Sequence, residues 1–174
     1  MQNMDDPEAV RQCLSGDQQA FRHLVHRYQP RALAHARALV GDADGAADAA
    51  QEAFLDAFRS LATFDVEREF YPWFYVLLRN RCFKQRSRPG TRQQSAPAMD
   101  CRAGGGASRE EALDLRRAIA RLDPSDRELV LLKHLEGWTY DELSGRLGIP
   151  RGTVMSRLFY ARRRLQSLIS GEAS

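Results

Sequence analysis

The stretch that decides the fold lies near the C-terminus and reads TYDELSGRLGIPRGTVMSRLFYARRRL, from Thr139 to Leu165. Thr139 and Glu142 form a T-x-x-E capping box, in which each side chain can satisfy a free backbone N–H at the start of a helix. Gly148 ends this first helix. Pro150 suits the start of a second helix, where a missing N–H costs nothing. The stretch therefore predicts two short helices around a tight turn, the pattern of a helix-turn-helix.

The second of these helices has one apolar face and one basic face. Residues at spacings of four, three, four and three form the apolar stripe, namely Val154, Leu158, Ala161, Leu165 and Leu168. The other side carries Arg151, Thr153, Ser156, Arg157, Arg162, Arg163 and Arg164, and residues 151–164 contain five cations and no acid. A helix that reads the DNA major groove needs cations for phosphates and small polar groups for base edges. The alternative is a basic, solvated face on an ordinary helical hairpin.

The N-terminal half is also predicted to be helical. Asp6 caps a first helix, Asp17 caps a longer second one, and residues 44–62 form a third. Pro30 predicts a kink or a break near Gln29 within the second helix, because proline lacks the N–H that the helix requires.

A linker divides the chain. Residues 88–107 are rich in Gly, Pro, Ser and Gln and have no periodicity, which is typical of a flexible linker. Ser108 and Glu111 form a second capping box after it, and no strand pattern occurs. We therefore predict an all-α fold of two small helical domains, residues 1–88 and 108–174, joined by a flexible linker of residues 89–107. The second is predicted to be a four-helix domain that contains the helix-turn-helix.

One side of the third helix is acidic. Asp44, Asp48, Glu52 and Asp56 follow one another at intervals of four residues. Like charges at this spacing destabilise a lone helix by about a few tenths of a kcal/mol per pair. Two interpretations stay open: a solvated acidic face, and a docking surface for a basic partner.

Residues 70–88 combine aromatic and basic side chains. The aromatic residues are Phe70, Tyr71, Trp73, Phe74, Tyr75 and Phe83, the cations are Arg79, Arg81, Lys84, Arg86 and Arg88, and no acid occurs between Glu69 and Asp100. Aromatic rings beside cations can stack on unpaired bases while the cations hold the phosphate backbone. Most of these rings are nevertheless expected in the core, with one or two exposed.

Composition excludes several other classes of protein. The chain has 174 residues, 43% hydrophobic and 28% charged, and a net charge of +3, which fits one ordinary domain or two small ones. No segment has about 18 consecutive apolar residues, so we expect a cytoplasmic protein. Three cysteines without a C-x-x-C pair indicate neither a disulfide framework nor a zinc site. Phosphate-loop, dinucleotide-binding and serine-hydrolase motifs are absent, so we expect no enzyme activity, no metal and no cofactor.

Taken together, these features resemble a bacterial RNA polymerase sigma factor of the extracytoplasmic-function (ECF) type, the minimal kind with the two domains numbered 2 and 4. The most specific pieces are GDQQAF at 16–21, DAAQEAF at 48–54, PWF at 72–74 with Arg79-Asn80 downstream, YDEL at 140–143, GIPRGTV at 148–154 and SRL at 156–158. Each piece alone is weak, whereas all of them in this order are specific.

The resemblance implies a set of protein partners. In this family the D-x-x-Q-E helix docks on the clamp coiled coil of the largest subunit of core RNA polymerase, and a second contact is made to the flap region. The residues this assigns to the polymerase are Asp44, Asp48, Gln51, Glu52 and Asp56. An inhibitory anti-sigma factor is a usual further partner. A membrane contact is expected only by way of a membrane-bound anti-sigma factor.

The resemblance also implies two contacts with promoter DNA. The first domain of such factors melts the −10 element and holds an extruded base, which here assigns Phe64, Asp65, Arg79, Asn80, Lys84 and Arg86. The helix-turn-helix reads the −35 element, which assigns Thr139, Tyr140, Arg151, Gly152, Thr153, Met155, Ser156, Arg157, Phe159, Tyr160 and Arg162. The polymerase, and not this chain, performs the chemistry.

Two positions depart from the family pattern. Family members usually carry Lys or Arg where this chain has Met155, and often a basic residue where it has Tyr160. Two polar contacts are thereby replaced, so we expect a different promoter preference. The alternative hypothesis is a stand-alone helix-turn-helix regulator with an N-terminal dimerisation module, which would bind duplex DNA without polymerase.

Overall fold

The computed structural model describes residues 4–87 and 109–170. Within these ranges there are eight α-helices and no strand, which confirms the all-α prediction. The helices are α1 (Asp6–Leu14), α2 (Phe21–Val40), α3 (Ala43–Ser60), α4 (Phe70–Arg86), α5 (Arg109–Ala120), α6 (Pro124–His134), α7 (Tyr140–Leu147) and α8 (Arg151–Ile169). The predicted linker and Ser108 of the second capping box lie outside the described residues. No helix in the described ranges is long and apolar enough to cross a membrane.

The helices fall into two compact units. α1, α3, α4 and most of α2 form the first, and α5 to α8 form the second, to which residues 37–42 are also assigned. The second unit thus contains the four helices predicted for it. The exact domain limits at residues 88 and 108 stay a prediction, because both positions lie outside the described residues.

α1 is capped by Asp5 and held to α2 by Asp6. The Asp5 carboxylate accepts a hydrogen bond from the Glu8 backbone N–H at 2.8 Å, so the cap lies one residue earlier than predicted. Asp6 instead accepts hydrogen bonds from the Arg27 guanidinium and the Tyr28 hydroxyl of α2. A side chain that could cap its own helix is therefore used to join two helices.

α2 continues through Pro30, and the break predicted near Gln29 is absent. Proline removes one helix hydrogen bond, but packing holds the residues on either side of it. The ring centroids of Tyr28 and Tyr71 lie 5.3 Å apart, and the Arg31 guanidinium carbon lies 3.6 Å from the centroid of the Tyr71 ring. Tertiary contacts with α4 thus outweigh the local preference.

The core of the first unit is built on the aromatic side of α4. Tyr71, Phe74 and Tyr75 are buried, which confirms that most of these rings are core residues. The ring of Phe74 stacks on that of Phe54 in α3 with centroids 4.4 Å apart. α3 supplies small buried residues that let the two helices approach closely, namely Ala46, Ala49, Ala50, Ala53 and Ala57.

In the second unit, Arg127 of α6 satisfies the end of α5. Its buried guanidinium donates hydrogen bonds to the backbone carbonyls of Ile119 at 3.1 Å, Ala120 at 2.6 Å and Leu122 at 3.0 Å. The last carbonyls of a helix have no partner within that helix. Arg127 therefore caps the C-terminal end of α5.

The helix-turn-helix forms as predicted. The Thr139 hydroxyl accepts from the Glu142 N–H at 3.2 Å, and the Glu142 carboxylate accepts from the Thr139 N–H at 2.8 Å. The hydrogen bonds from the backbone and hydroxyl of Thr139 lower the pKa of Glu142. Gly148 ends α7 with a φ of 68°, a left-handed conformation that favours glycine. Pro150 is the residue immediately before α8 rather than its first helical residue.

His35 of α2 is buried in the first unit. Its Nδ1 lies 2.9 Å from the Tyr71 hydroxyl, and its ring packs edge-on against Tyr75 with centroids 5.2 Å apart. Burial, with a smaller contribution from the charge of Arg31, lowers the pKa of His35 from 6.5 to about 3. The imidazole is therefore neutral in the folded protein at neutral pH.

We predict that acid destabilises the protein through His35. Because the folded-state pKa lies below the unfolded one, the unfolded chain binds the proton first. The stabilising contribution is present above about pH 6.5 and is lost towards pH 3, at up to about 1.4 kcal/mol per pH unit. Urea unfolding of the wild type and of His35→Gln at several pH values measures this. The variant should lose stability less steeply with acid, and equal slopes would contradict the prediction.

Candidate functional site

The side of α8 opposite its apolar stripe is exposed. Val154, Leu158, Ala161 and Leu165 are buried as predicted, while Leu168 is half-buried. The exposed residues between positions 151 and 164 are Arg151, Gly152, Thr153, Met155, Ser156, Phe159, Tyr160, Arg162, Arg163 and Arg164. All but two of these were assigned to −35 DNA from the sequence. Their exposure makes them available to a partner.

The exposed face of α8 has a central row of residues with arginines on either side. At 3.6 residues per turn, Gly152, Ser156, Phe159 and Arg163 lie opposite the buried stripe. Arginines flank this row on both sides. The Arg163 guanidinium carbon lies 6.0 Å from the centroid of the Phe159 ring. Arg163 was not among the predicted site residues, although its place in this row could have indicated it.

Arg157 is the exception on α8. Its Nε donates to the Asp126 carboxylate at 2.8 Å, and its Nη2 donates to the Ser125 hydroxyl at 2.5 Å. Both partners lie in the first turn of α6, so the half-buried guanidinium joins α8 to α6. Arg157 thus positions α8, which favours a structural role over the DNA contact assigned to it from the sequence.

The start of α7 also carries residues assigned to DNA. Thr139 is exposed, but its hydroxyl belongs to the capping box. Tyr140 is half-buried, and the Lys133 ammonium lies 4.8 Å from the centroid of its ring. Arg151, at the start of α8, has its Nε 3.0 Å from the exposed Asp141 carboxylate. An exposed ion pair of this kind is worth at most about 1 kcal/mol. A DNA phosphate can therefore replace the Asp141 carboxylate as the partner of Arg151.

The acidic line on α3 is exposed over most of its length. Asp44, Asp48, Gln51 and Glu52 are exposed, whereas Asp56 is half-buried. An apolar groove lies beside this line between α2 and α3, and its lining includes Phe21, Val25, Leu33, Gln51, Leu55 and Phe58. Exposed apolar groups next to charges are typical of protein–protein interfaces. The apolar groove beside the acidic line therefore favours its interpretation as a docking surface.

Asp56 is engaged within the unit. Nε and Nη2 of Arg81 both donate to its carboxylate, and Nη1 of Arg81 lies 3.4 Å from Glu52. The hydrogen bonds from Arg81 hold the pKa of Asp56 below its usual value. Asp56 thus joins α3 to α4, which favours a structural role over the polymerase contact assigned to it from the sequence. Arg81, which the sequence suggested only as one cation among several, is its partner.

Phe64, which the sequence assigned to −10 DNA, is buried in the first unit. Its side chain is 7% exposed, and its ring centroid lies 5.6 Å from that of Phe70 and 5.0 Å from that of Trp73. Phe64 thus anchors the loop of residues 64–69 in the core, which favours a structural role over the −10 DNA contact assigned to it from the sequence. Asp65 in this loop is exposed and accepts a hydrogen bond from the Glu67 N–H at 3.1 Å.

The remaining residues assigned to −10 DNA lie in the C-terminal half of α4. Asn80 and Lys84 are exposed and one turn apart, while Arg79 and Arg86 are half-buried. The Arg79 guanidinium carbon lies 4.6 Å from the centroid of the Phe83 ring. Asn80 comes ten residues after the start of α4, which is about 15 Å along the helix axis. A strand that contacts both Asn80 and the loop would therefore run along α4.

Comparison with known proteins identifies the family. The family model of Sigma-70 region 2 matches residues 24–90, and that of Sigma-70 region 4 matches residues 112–165. The ECF RNA polymerase sigma-E factor of Escherichia coli (strain K12) is 32% identical over 184 residues, which covers 97% of this chain and 96% of that protein. The chain belongs to the ECF sigma factors. The RNA polymerase sigma-H factor of Pseudomonas aeruginosa is 31% identical over 173 residues, or 90% of each chain.

Two solved structures resemble this sigma factor over most of its length. CnrH, solved in complex with the cytosolic domain of CnrY, has a TM-score of 0.68 and 27% identity, covering 97% of this chain and 99% of that one. The sigma factor RpoE from Bartonella quintana, solved with the anti-sigma factor NepR, has a TM-score of 0.69 and 26% identity, covering 86% and 96%. The fold described above is thus that of ECF sigma factors.

We predict that two arginines of α8 differ in role. Arg162→Ala should weaken binding of the holoenzyme to promoter DNA and reduce the slope of log affinity against log salt by about 0.9, the value for one lost phosphate contact. Arg157→Ala should leave the salt slope unchanged, because its guanidinium binds Asp126. It should instead lower the free energy of unfolding by about 1–2 kcal/mol. Equal slopes for the two variants would contradict this assignment.

Proposed function

We propose that the chain binds core RNA polymerase through the exposed face of α3 and brings it to promoters that α4 and α8 contact. The observation that carries this proposal is the presence, in one chain with both sigma regions, of an exposed acidic and apolar face on α3 and an exposed basic face on α8. A protein that only bound DNA would not need the first of these surfaces. The chain itself carries out no chemistry.

The polymerase contact is proposed for Asp48, Gln51 and Glu52 together with Asp44. These side chains suit the basic residues of a coiled coil such as the polymerase clamp, and the groove beside them suits apolar ones. A second contact, of the second unit with the flap region, follows from family membership alone. Asp56 takes no direct part in this proposal.

The DNA contacts are proposed for two elements. Asn80 and Lys84, with Arg79, Arg86 and Asp65, would meet the melted −10 strand along α4. The exposed residues of α8 would enter the major groove at the −35 element, where arginines on both flanks face phosphates. Thr139, Tyr140 and Arg151 would meet the DNA backbone at the turn.

Control by an anti-sigma factor is part of the proposal. CnrH was solved with a fragment of CnrY, and RpoE with the anti-sigma factor NepR. An inhibitor of this sigma factor would cover the polymerase face, the DNA face or both. We place the complex in the cytoplasm, where polymerase works, and a membrane contact would come only through a membrane-bound inhibitor.

Transcription in vitro tests the proposed function. Core polymerase with the purified chain should produce transcripts from promoters enriched by the holoenzyme out of random or genomic DNA, and core polymerase alone should not. Specific binding of the free chain to duplex DNA, without any promoter-specific transcript, would instead support a stand-alone regulator and overturn the proposal.

We predict that reversing charges on α3 weakens polymerase binding. Asp48→Lys combined with Glu52→Lys places two cations where basic partner residues are proposed, and affinity for core polymerase should fall at least about tenfold. The measurement is fluorescence anisotropy with labelled sigma factor, with thermal unfolding to check the fold because Glu52 neighbours Arg81.

The matched control for this variant is on α5. Glu110 and Asp114 are also exposed and four residues apart, so Glu110→Lys with Asp114→Lys changes the net charge equally. This control should bind polymerase nearly as well as the wild type. Equal losses for the two variants would mean that total charge, and not the α3 face, determines affinity.

A further inference from the structure

Three large apolar side chains are exposed in the N-terminal half of α8. Met155 is 47% exposed, Phe159 is 55% exposed and Tyr160 is 66% exposed. They interrupt a surface that otherwise consists of arginines and small polar groups. A cluster of exposed apolar groups with a charged rim marks a contact surface. Met155 and Phe159 are one turn apart, so their side chains cover neighbouring parts of that surface.

These three side chains are not part of the core of the second unit. The core is completed by the opposite stripe of α8, whose residues Val154 and Leu158 are buried. The ring of Phe159 meets the edge of the Tyr160 ring with centroids 5.4 Å apart, a contact between two exposed groups. Replacing Met155 or Phe159 should therefore leave the fold unchanged.

The charges around the patch indicate its occupant. Arg151 and Arg162 lie beside Met155, Arg163 follows Phe159 by one turn, and residues 151–164 contain no acid. A row of apolar side chains between cations matches the DNA major groove, which has phosphates on both sides of a floor of base edges. Among the base edges in that groove, only thymine presents an apolar group, its 5-methyl.

We propose that Met155 and Phe159 read the 5-methyl groups of thymine bases in the −35 element. The inference rests on the proposed function of α8 and adds the chemistry by which it selects a sequence. Met155 lies in the second turn of the helix, near the N-terminal end that meets base edges in helix-turn-helix complexes. The flexible, polarisable thioether can adapt to a methyl group, and the ring of Phe159 offers a flat apolar surface.

Replacement of thymine by deoxyuridine tests the proposal, because it removes only the methyl group. Promoters enriched by the holoenzyme are resynthesised with each −35 thymine changed singly to deoxyuridine, and holoenzyme affinity is measured by competition. One or two positions should lose about fourfold in affinity, equivalent to about 0.8 kcal/mol for one buried methyl group. The other thymines should have little effect.

Variants of the protein show which side chain contacts each thymine methyl group. Met155→Ala should lose about the same factor in affinity for the thymine promoter, and its affinity should no longer respond to deoxyuridine at one sensitive position. Phe159→Ala should behave in the same way, at the same position or at the other sensitive one. Met155→Arg should enrich promoters with guanine in place of that thymine, because arginine pairs with the O6 and N7 atoms of guanine. Ile169→Ala is the control, since Ile169 is 53% exposed in the last turn of α8. It should retain the wild-type pattern.

The possible negative results distinguish a failure of methyl reading from a failure of the proposed function. Promoter-specific transcription that is indifferent to every deoxyuridine would overturn methyl reading and leave the proposed function intact. Unchanged promoter affinity of both Met155→Ala and Phe159→Ala would do the same and would indicate that the patch binds a protein. The absence of any promoter-specific transcript would overturn both proposals.

Discussion

The ion pair between Arg81 and Asp56 determines which charges of the first unit face outward. It joins α4 to α3, the two helices that carry the opposite charges of this unit, and it draws Glu52 to within 3.4 Å of the same guanidinium. One arginine thus occupies the C-terminal end of the acidic line. Asp44 and Asp48 remain exposed on α3, and Lys84 remains exposed on α4. An acidic face and a basic face can therefore lie on neighbouring helices without neutralising each other completely.

The second unit uses the same arrangement. Arg157 binds Asp126 and Ser125 at the start of α6 and so orients α8 about its own axis. The buried stripe of α8 acts in the same direction, because a helix with four buried apolar residues on one side must expose the other. The remaining arginines then point away from the core, where they are available to phosphates. In both units, an arginine that joins two helices thereby orients the charged faces of those helices.

Local features of the fold could be predicted from the sequence. The capping box at Thr139, the left-handed Gly148 and the buried stripe of α8 depend on residues within a few positions of one another. Hydrophobic period and helix caps are therefore sufficient to predict them. The exposure of most α8 and α3 site residues follows from the same periodicity. Their contacts with DNA and polymerase stay predictions.

The long-range contacts that the sequence did not predict have one physical cause. Asp56 and Arg81 are 25 residues apart, and Asp126 and Arg157 are 31 residues apart. A local pattern cannot show which charges meet across such distances, and each such pair engages a residue that the sequence assigned to an interface. The unbroken helix at Pro30 was not predicted for the same reason, because contacts between α2 and α4 hold that part of the helix together. The burial of Phe64 likewise depends on Trp73 and Phe70, which belong to another element.

In the proposed complex, α3 faces the polymerase while α8 faces the DNA. Site-specific photo-crosslinking of the holoenzyme on promoter DNA tests it most directly, with a benzophenone amino acid placed at position 48 or at position 159. Position 48 should crosslink to the largest polymerase subunit and position 159 to the −35 duplex. Crosslinks from position 159 to protein alone, or from position 48 to DNA alone, would contradict it.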